Sequence, residues 1–125
     1  MARTALTVAE ARRTGAAVTQ SSTVGTLEYK FTFTGKEMIL VENNSGTSKT
    51  LTLNEASSWV SNTGYADNDV TTIADGAIKI VGPITNSLRW VQTDGMVYFD
   101  VSASNASFTL AVIRNPDQSS EATTK

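Results

Sequence analysis

The stretch Leu27-Glu28-Tyr29-Lys30-Phe31-Thr32-Phe33-Thr34 decides the fold class. Leu27, Tyr29, Phe31 and Phe33 alternate with Glu28, Lys30, Thr32 and Thr34, and a period of two puts the four apolar side chains on one face of a strand. One face is buried and the other is wet. Gly35-Lys36 then turns the chain, and Met38-Ile39-Leu40-Val41 is apolar at every position, as in a central strand covered on both sides. Asn43-Asn44-Ser45-Gly46-Thr47 is rich in turn formers, and Lys49-Thr50-Leu51-Thr52-Leu53 alternates again, which reads as a hairpin.

Further along, the alternation stops and resumes. Residues 54–68 hold Trp59, Gly64 and Tyr65 without a sustained period and read as a long loop. Val70–Ile73 and Ala77–Val81 are two more strands, the second stopped by Gly82-Pro83, because proline has no N–H for a ladder. Leu88–Val91 reads as a short strand, and Thr93-Asp94-Gly95 as a tight turn into Met96–Val101. Ser107–Ile113 closes the domain. The sequence therefore predicts an all-β fold: a single antiparallel β-sandwich, jelly-roll or Ig-like, of about seven to eight strands over residues 27–114. The expected core is Tyr29, Phe31, Phe33, Ile39, Val41, Leu51, Leu53, Ile80, Val97, Phe99, Val101, Phe108, Leu110 and Val112.

Before this domain, residues 1–26 read as an N-terminal arm. Thr7-Val8-Ala9-Glu10 has the spacing of a helix capping box, and Gly15 stands where a helix would end, so one short helix is expected over residues 8–14. Residues 15–26 are small and polar and read as extended linker. After Asn115-Pro116, residues 115–125 read as a flexible C-terminal tail.

Composition narrows the chemistry. The 125 residues carry no His and no Cys, which excludes the usual zinc sites, Ser-His-Asp triads, cysteine nucleophiles, disulfides, haem and iron–sulfur ligation. A net charge of −2 argues against nucleic acid as a partner, which demands a concentrated positive field. No run reaches the roughly 18 apolar residues of a membrane span, and no apolar leader opens the chain. Arg3, Arg12 and Arg13 outweigh Glu10 in the first twenty residues, leaving a basic head on an acidic body.

Candidate sites are few. Asp67-Asn68-Asp69 with Asp75 has part of a calcium loop but lacks the closing acid, and reads as a solvated loop. Glu37 and Glu42 are at odd offset on one strand and so face opposite sides. No serine stands in a nucleophile elbow and no glycine loop cradles phosphate. No cofactor or metal is expected, and no enzymatic activity. Trp59, Tyr65 and Trp90 fall in or beside loops; they read as a sugar-binding platform or, preferably, as residues that close the domain's end or fill a subunit contact.

The order of motifs carries more. MARTALTVAEARRTG (1–15), KEMILVENNSGTSKTLTL (36–53), DVTTIADGAIKIVGP (69–83) and DGMVYFDVSASNASFTLAVIR (94–114) resemble, in the same order, a family of small virion proteins of tailed bacteriophages. The matching positions are Val41, Asn43, Gly46, Leu51, Thr52, Gly82, Pro83, Asp94, Gly95, Val97, Asp100 and Ser102. Residues 55–68 and the tail after Arg114 depart from the pattern. The resemblance implies a head decoration (cement) protein, a homotrimer bound to the major capsid protein on the outside of the virion, made in the host cytoplasm, with no catalytic residue to carry over. In that setting the arm is the expected docking element, with Leu6 and Val8 as apolar anchors and Arg3, Arg12 and Arg13 as charged ones; Trp59 and Tyr65 are further candidate contacts. Removing residues 1–14 is then expected to leave the β-domain folded and to abolish trimerisation or particle binding. The alternatives are another virion structural protein, such as a tail-surface or fibre-associated module, and a carbohydrate-binding module.

Overall fold

A computed structural model describes residues 3–11, 15, 17–65 and 67–114. The chain is mostly β. Among the described residues ten strands are formed: β1 Thr4–Ala5, β2 Val8–Glu10, β3 Ser21–Ser22, β4 Glu28–Thr32, β5 Glu37–Asn43, β6 Lys49–Asn54, β7 Asp69–Ile73, β8 Ile78–Ile84, β9 Met96–Val101 and β10 Phe108–Arg114. Two short helices, α1 Ser57–Thr63 and α2 Ser87–Trp90, interrupt them. The first sheet has the order β1-β4-β9-β6-β7 and the second β2-β10-β5-β8, with β3 also on β10.

The alternation at 28–32 does what its period dictates. Tyr29 and Phe31 are buried while Glu28, Lys30 and Thr32 face outward. Across the ladder Tyr29 sits opposite Phe99 and their rings stack at 5.4 Å, with Phe31 tilted against Phe99 at 6.0 Å. Leu51, Leu53, Val97 and Val101 complete this sheet's inner face; Ile39, Val41, Phe108, Leu110 and Val112 supply the inner face of the second, and all join one buried cluster. Each such side chain contributes about 1.5–3 kcal/mol on leaving water.

Several expectations are corrected. The sheets are mixed rather than purely antiparallel, because β1 runs parallel to β4 and β2 parallel to β10. No helix begins at residue 8: Val8–Glu10 is a strand, its ladder continued by the Ala11 N–H donating to the Arg114 carbonyl at 2.8 Å. The open edge of β10 outcompetes a one-turn helix, which closes too few hydrogen bonds to stand alone. The rest of that expected helix, residues 12–14, and the tail at 115–125 lie outside the described residues. β5 and β6 do not form a hairpin. They belong to different sheets, and the turn between them is held by buried Asn43, whose side-chain amide donates to Thr47 O and Ile73 O and whose Oδ1 accepts from the Ser45 N–H.

The loop expected at 54–68 contains α1, ended by Gly64 in the left-handed conformation with its N–H on Val60 O. The strand expected at 88–91 is instead α2, started by the Asn86 side chain accepting from the Arg89 N–H, and it swings Trp90 into the core at 6% exposure. Of the expected core, Phe33 is only partly buried, and Ile80 is not in the core at all.

Gly82 marks the irregular point of the β5–β8 ladder, where the register shifts between Glu37 and Ile39. Its φ is +123°, and a Cβ there would stand 3.1 Å from Glu37 O and Ile84 N and 3.3 Å from the Met38 Cα. Both strain and contact oppose a side chain. Gly82→Ala is expected to lower stability by about 1–3 kcal/mol, read as a fall in the urea midpoint.

Candidate interaction surface

The outer faces of the two sheets differ in chemistry. On the first, Glu28, Lys30, Thr32, Thr50, Thr52, Thr72, Tyr98 and Asp100 point outward, with Val70 and half-buried Met96 as the larger apolar side chains among them. These groups are wired together. The Tyr98 hydroxyl donates to Asp94 at 2.8 Å, Lys30 Nζ lies 3.4 Å from the same carboxylate, and Asn54 Nδ2 donates to Asp100 at 3.0 Å. Desolvation pushes the Asp94 carboxyl up, but the Tyr98 hydroxyl, the Met96 N–H and Lys30 outweigh it and hold the pKa below the usual carboxylate range. Tyr98 is raised in turn by its bond to Asp94. This is a solvated face.

On the second sheet most of the outward residues are apolar. Cross-strand partners share a face, so the registers set Ile80 beside Leu40 and Leu40 beside Ala111, with Met38 beside Ile113 and Ile113 beside Ala9. A third row of Ile78, Glu42 and Thr109 closes one end. Ile78 is 62% and Ile80 57% exposed and Met38, Leu40 and Ile113 are half-buried, while Ala111 is buried, at the cleft that Ala17 and Thr19 line.

The orientation of β8 is the telling feature. Its alternation has two isoleucines on one side, and Lys79 and Val81 on the other. A strand packed for an isolated domain turns its isoleucines in. Here Val81 packs on the core, Lys79 lies opposite buried Val41, and the Lys79 ammonium escapes at the sheet edge to Thr72 O at 2.8 Å. The two isoleucines face out. Reading Met38–Val41 as apolar on both faces anticipated half of this surface; alternation alone did not say which side of β8 is inward.

The residues expected to bind partners are scattered. Arg3, Leu6 and Val8 are engaged with their own domain. Arg3 Nη1 donates to the Asp100 carboxylate at 2.5 Å, its guanidinium stacks 4.5 Å from the Tyr98 ring centroid, and Leu6 and Val8 pack against the core. Arg12 and Arg13 lie outside the described residues. Trp59 is half-buried on α1, and Tyr65, 64% exposed, follows the helix. Trp90 is core, with Arg89 stacked 4.4 Å over its ring, so the three aromatics form no common platform.

The tip that carries Trp59 and Tyr65 is pinned by a buried carboxylate. Glu55 accepts from Arg89 Nε at 2.6 Å and from the Asp67 N–H at 2.7 Å. Burial raises its pKa, and the Asp67 N–H, the Arg89 guanidinium and Trp59 more than reverse that, leaving it lowered. Glu55 raises Arg89 correspondingly. The acids once considered for calcium serve elsewhere: Asn68 Oδ1 caps the Glu55 N–H, Asp69 stands 3.6 Å from Arg89, and Asp75 accepts from the Gly46 N–H. Among the described residues no three His, Cys, Asp or Glu side chains gather to hold a metal, and no helix is long and apolar enough to cross a membrane.

A cleft of about 890 Å³ lies between the arm and the body, lined by Thr4–Thr7, Ala17, Thr19, Ser21 and Leu110–Val112. Its described walls are threonines, serines and apolar side chains, with buried Tyr29 as the one titratable group. Among the described residues no cation or anion lines it. Compared with protein-family models, curated proteins and solved structures, the chain gives no match. The surface that stands out is therefore the apolar outer face of the second sheet.

Proposed function

We propose that the chain is a head decoration (cement) protein of a tailed bacteriophage, a jelly-roll β-sandwich that acts as a homotrimer on the major capsid protein at the outer surface of the assembled head. The strand order supports the jelly-roll reading. Antiparallel pairs β6–β7, β5–β8, β4–β9 and β3–β10 nest one outside the next, which is one long ribbon closed at β6–β7 and rolled so that its halves alternate between sheets. β1 and β2 are additions laid parallel along the two edges. Fold alone does not define function. The observation that carries the proposal is the flat apolar face of the second sheet, a contact surface in a chain whose composition lacks His and Cys.

Such a protein works by geometry. Three linked copies convert weak single footprints into strong attachment, because the second and third contacts are effectively intramolecular. Binding the assembled shell and not its free subunits stabilises the shell by mass action. The test is sedimentation of purified protein with heads stripped of surface proteins. Binding that saturates near one copy per capsid subunit, and that raises the temperature at which heads open, is expected. Failure to sediment with heads overturns the proposal, and binding confined to tails moves the protein to the tail surface.

A further inference from the structure

We infer that the outer face of the second sheet, centred on Leu40, Ile78 and Ile80, is where copies of this chain meet. The occupant is a second copy. This deepens the proposed function and rests on that reading only for the number of copies.

Three observations lead there. The first is the choice made by β8, which sends Ile78 and Ile80 outward and routes Lys79 along the inner side to the sheet edge. A one-residue slip would have turned both isoleucines toward the side of Val41 and Val81, so their outward placement in the single chain marks a surface finished by something else. The second is contrast: the first sheet's outer face is covered by hydroxyls and paired charges, and the second sheet's is not. Three seven-residue strands about 4.8 Å apart, β10, β5 and β8, span roughly 14 by 23 Å, the size of the largest apolar patch on a monomer, a few hundred Å² that is often functional.

The third observation is charge, and it selects the occupant. The chain has net charge −2, so two identical bodies repel unless their contact is charge-poor. Among the described residues the face carries one anion, Glu42, at one end of β5, bonded by Asn44 Nδ2 at 3.1 Å and by Gln20 Nε2 at 3.4 Å, and exposed Lys36 stands just beyond the other end. Between them none of the described residues points a charge outward. Interfaces between identical subunits are richer in apolar area than contacts between unlike partners, and this face has that composition. The C-terminal residues 115–125, NPDQSSEATTK, have almost no apolar side chain to offer it.

The test is the mass in solution of the full chain by light scattering across a concentration series. A multiple of 13.3 kDa is expected for the natural sequence. The double variant Ile78→Lys/Ile80→Lys is expected to run at the single-chain mass with an unchanged circular dichroism spectrum, its association weakened at least about a hundredfold because two ammonium groups would be desolvated. Val70→Lys, equally exposed on the first sheet, is expected to leave the mass unchanged. Should the double variant misfold, Ile80→Cys provides a second reading: in a chain without other cysteines it is expected to crosslink between copies on oxidation, and Val70→Cys is not. A natural sequence that stays monomeric, a folded double variant that still associates, or equal crosslinking from Val70→Cys overturns the inference. Head sedimentation reads the decoration role separately, so loss of association with retained head binding, or the reverse, assigns the failure to one reading alone.

Discussion

Glu37→Gln is expected to cost about 2–4 kcal/mol at neutral pH, a large part of the stability of a domain this size. Glu37 opens β5 with no exposed surface, yet it is fully bonded. Oε1 accepts the Thr34 N–H at 2.7 Å; Oε2 accepts the Thr34 hydroxyl at 2.5 Å and Arg114 Nε at 2.8 Å. One carboxylate thereby ties the turn after β4 to the end of the last strand. Glutamine keeps the shape but turns an amide donor toward groups that are themselves donors. Among the described carboxylates Arg114 would keep Glu10, at 4.0 Å.

The same site gives a pH signature. Burial pushes the Glu37 pKa up, but the two Thr34 bonds and Arg114 outweigh burial, and the folded value lies below the ordinary glutamate range. A group depressed on folding contributes stability that is fully present above its unfolded pKa and lost as pH falls through its folded one. The urea midpoints of the natural chain and of Glu37→Gln should therefore lie far apart at neutral pH and converge in acid, below the ordinary glutamate range. The difference between them isolates Glu37 from Glu55 and Asp94, which are depressed as well. A gap that does not narrow in acid would mean that the loss at neutral pH comes from packing and not from charge.

What the sequence discloses depends on how local the cause is. Tyr29, Phe31, Phe99 and Val101 were legible as core because their own alternation marks the buried face. Ile80 was not, since alternation separates two faces without saying which is inward, and β8 answers through its pairing with β5. The separation of β5 from β6 was hidden for a similar reason. Turn-rich residues 43–47 show that the chain reverses there and not that it changes sheets. The α2 helix hides Trp90 because four residues carry too little pattern to tell helix from strand. For the outer face of the second sheet, Met38–Val41 disclosed a strand apolar on both sides, while its neighbours Ile78, Ile80 and Ile113 came only from register.

The arm is where sequence and structure part most sharply, and it yields the second large effect. Read alone, residues 1–26 look like a free arm, and loss of residues 1–14 would spare the domain. In the structure residues 3–11 bridge both sheets: Thr4–Ala5 runs along β4, the Leu6 N–H donates to Lys30 O at 2.9 Å, and Val8–Glu10 runs along β10. Arg3 fastens one end, with Nη1 near the carbonyls of Tyr29 and Phe99 as well as the Asp100 carboxylate. Removing residues 1–11 exposes two strand edges, strips Leu6 and Val8 from the core margin, and leaves Asp100 with only Asn54 of these partners. Partial burial of two aliphatic side chains contributes roughly 1–2 kcal/mol each, and the lost charge-assisted bond about 1.5–3 kcal/mol. The truncated chain is therefore expected to be about 3.5–7 kcal/mol less stable, seen as a lower urea midpoint, and to show faster hydrogen exchange along β4 and β10 than along β5 and β6. Arg3→Ala alone should reproduce the exchange change on β4 and leave β10 protected, because its bonds reach only the first sheet. Were the truncated chain as stable as the natural one, the arm would be a passenger on the monomer, free to act on a neighbour as its sequence first suggested.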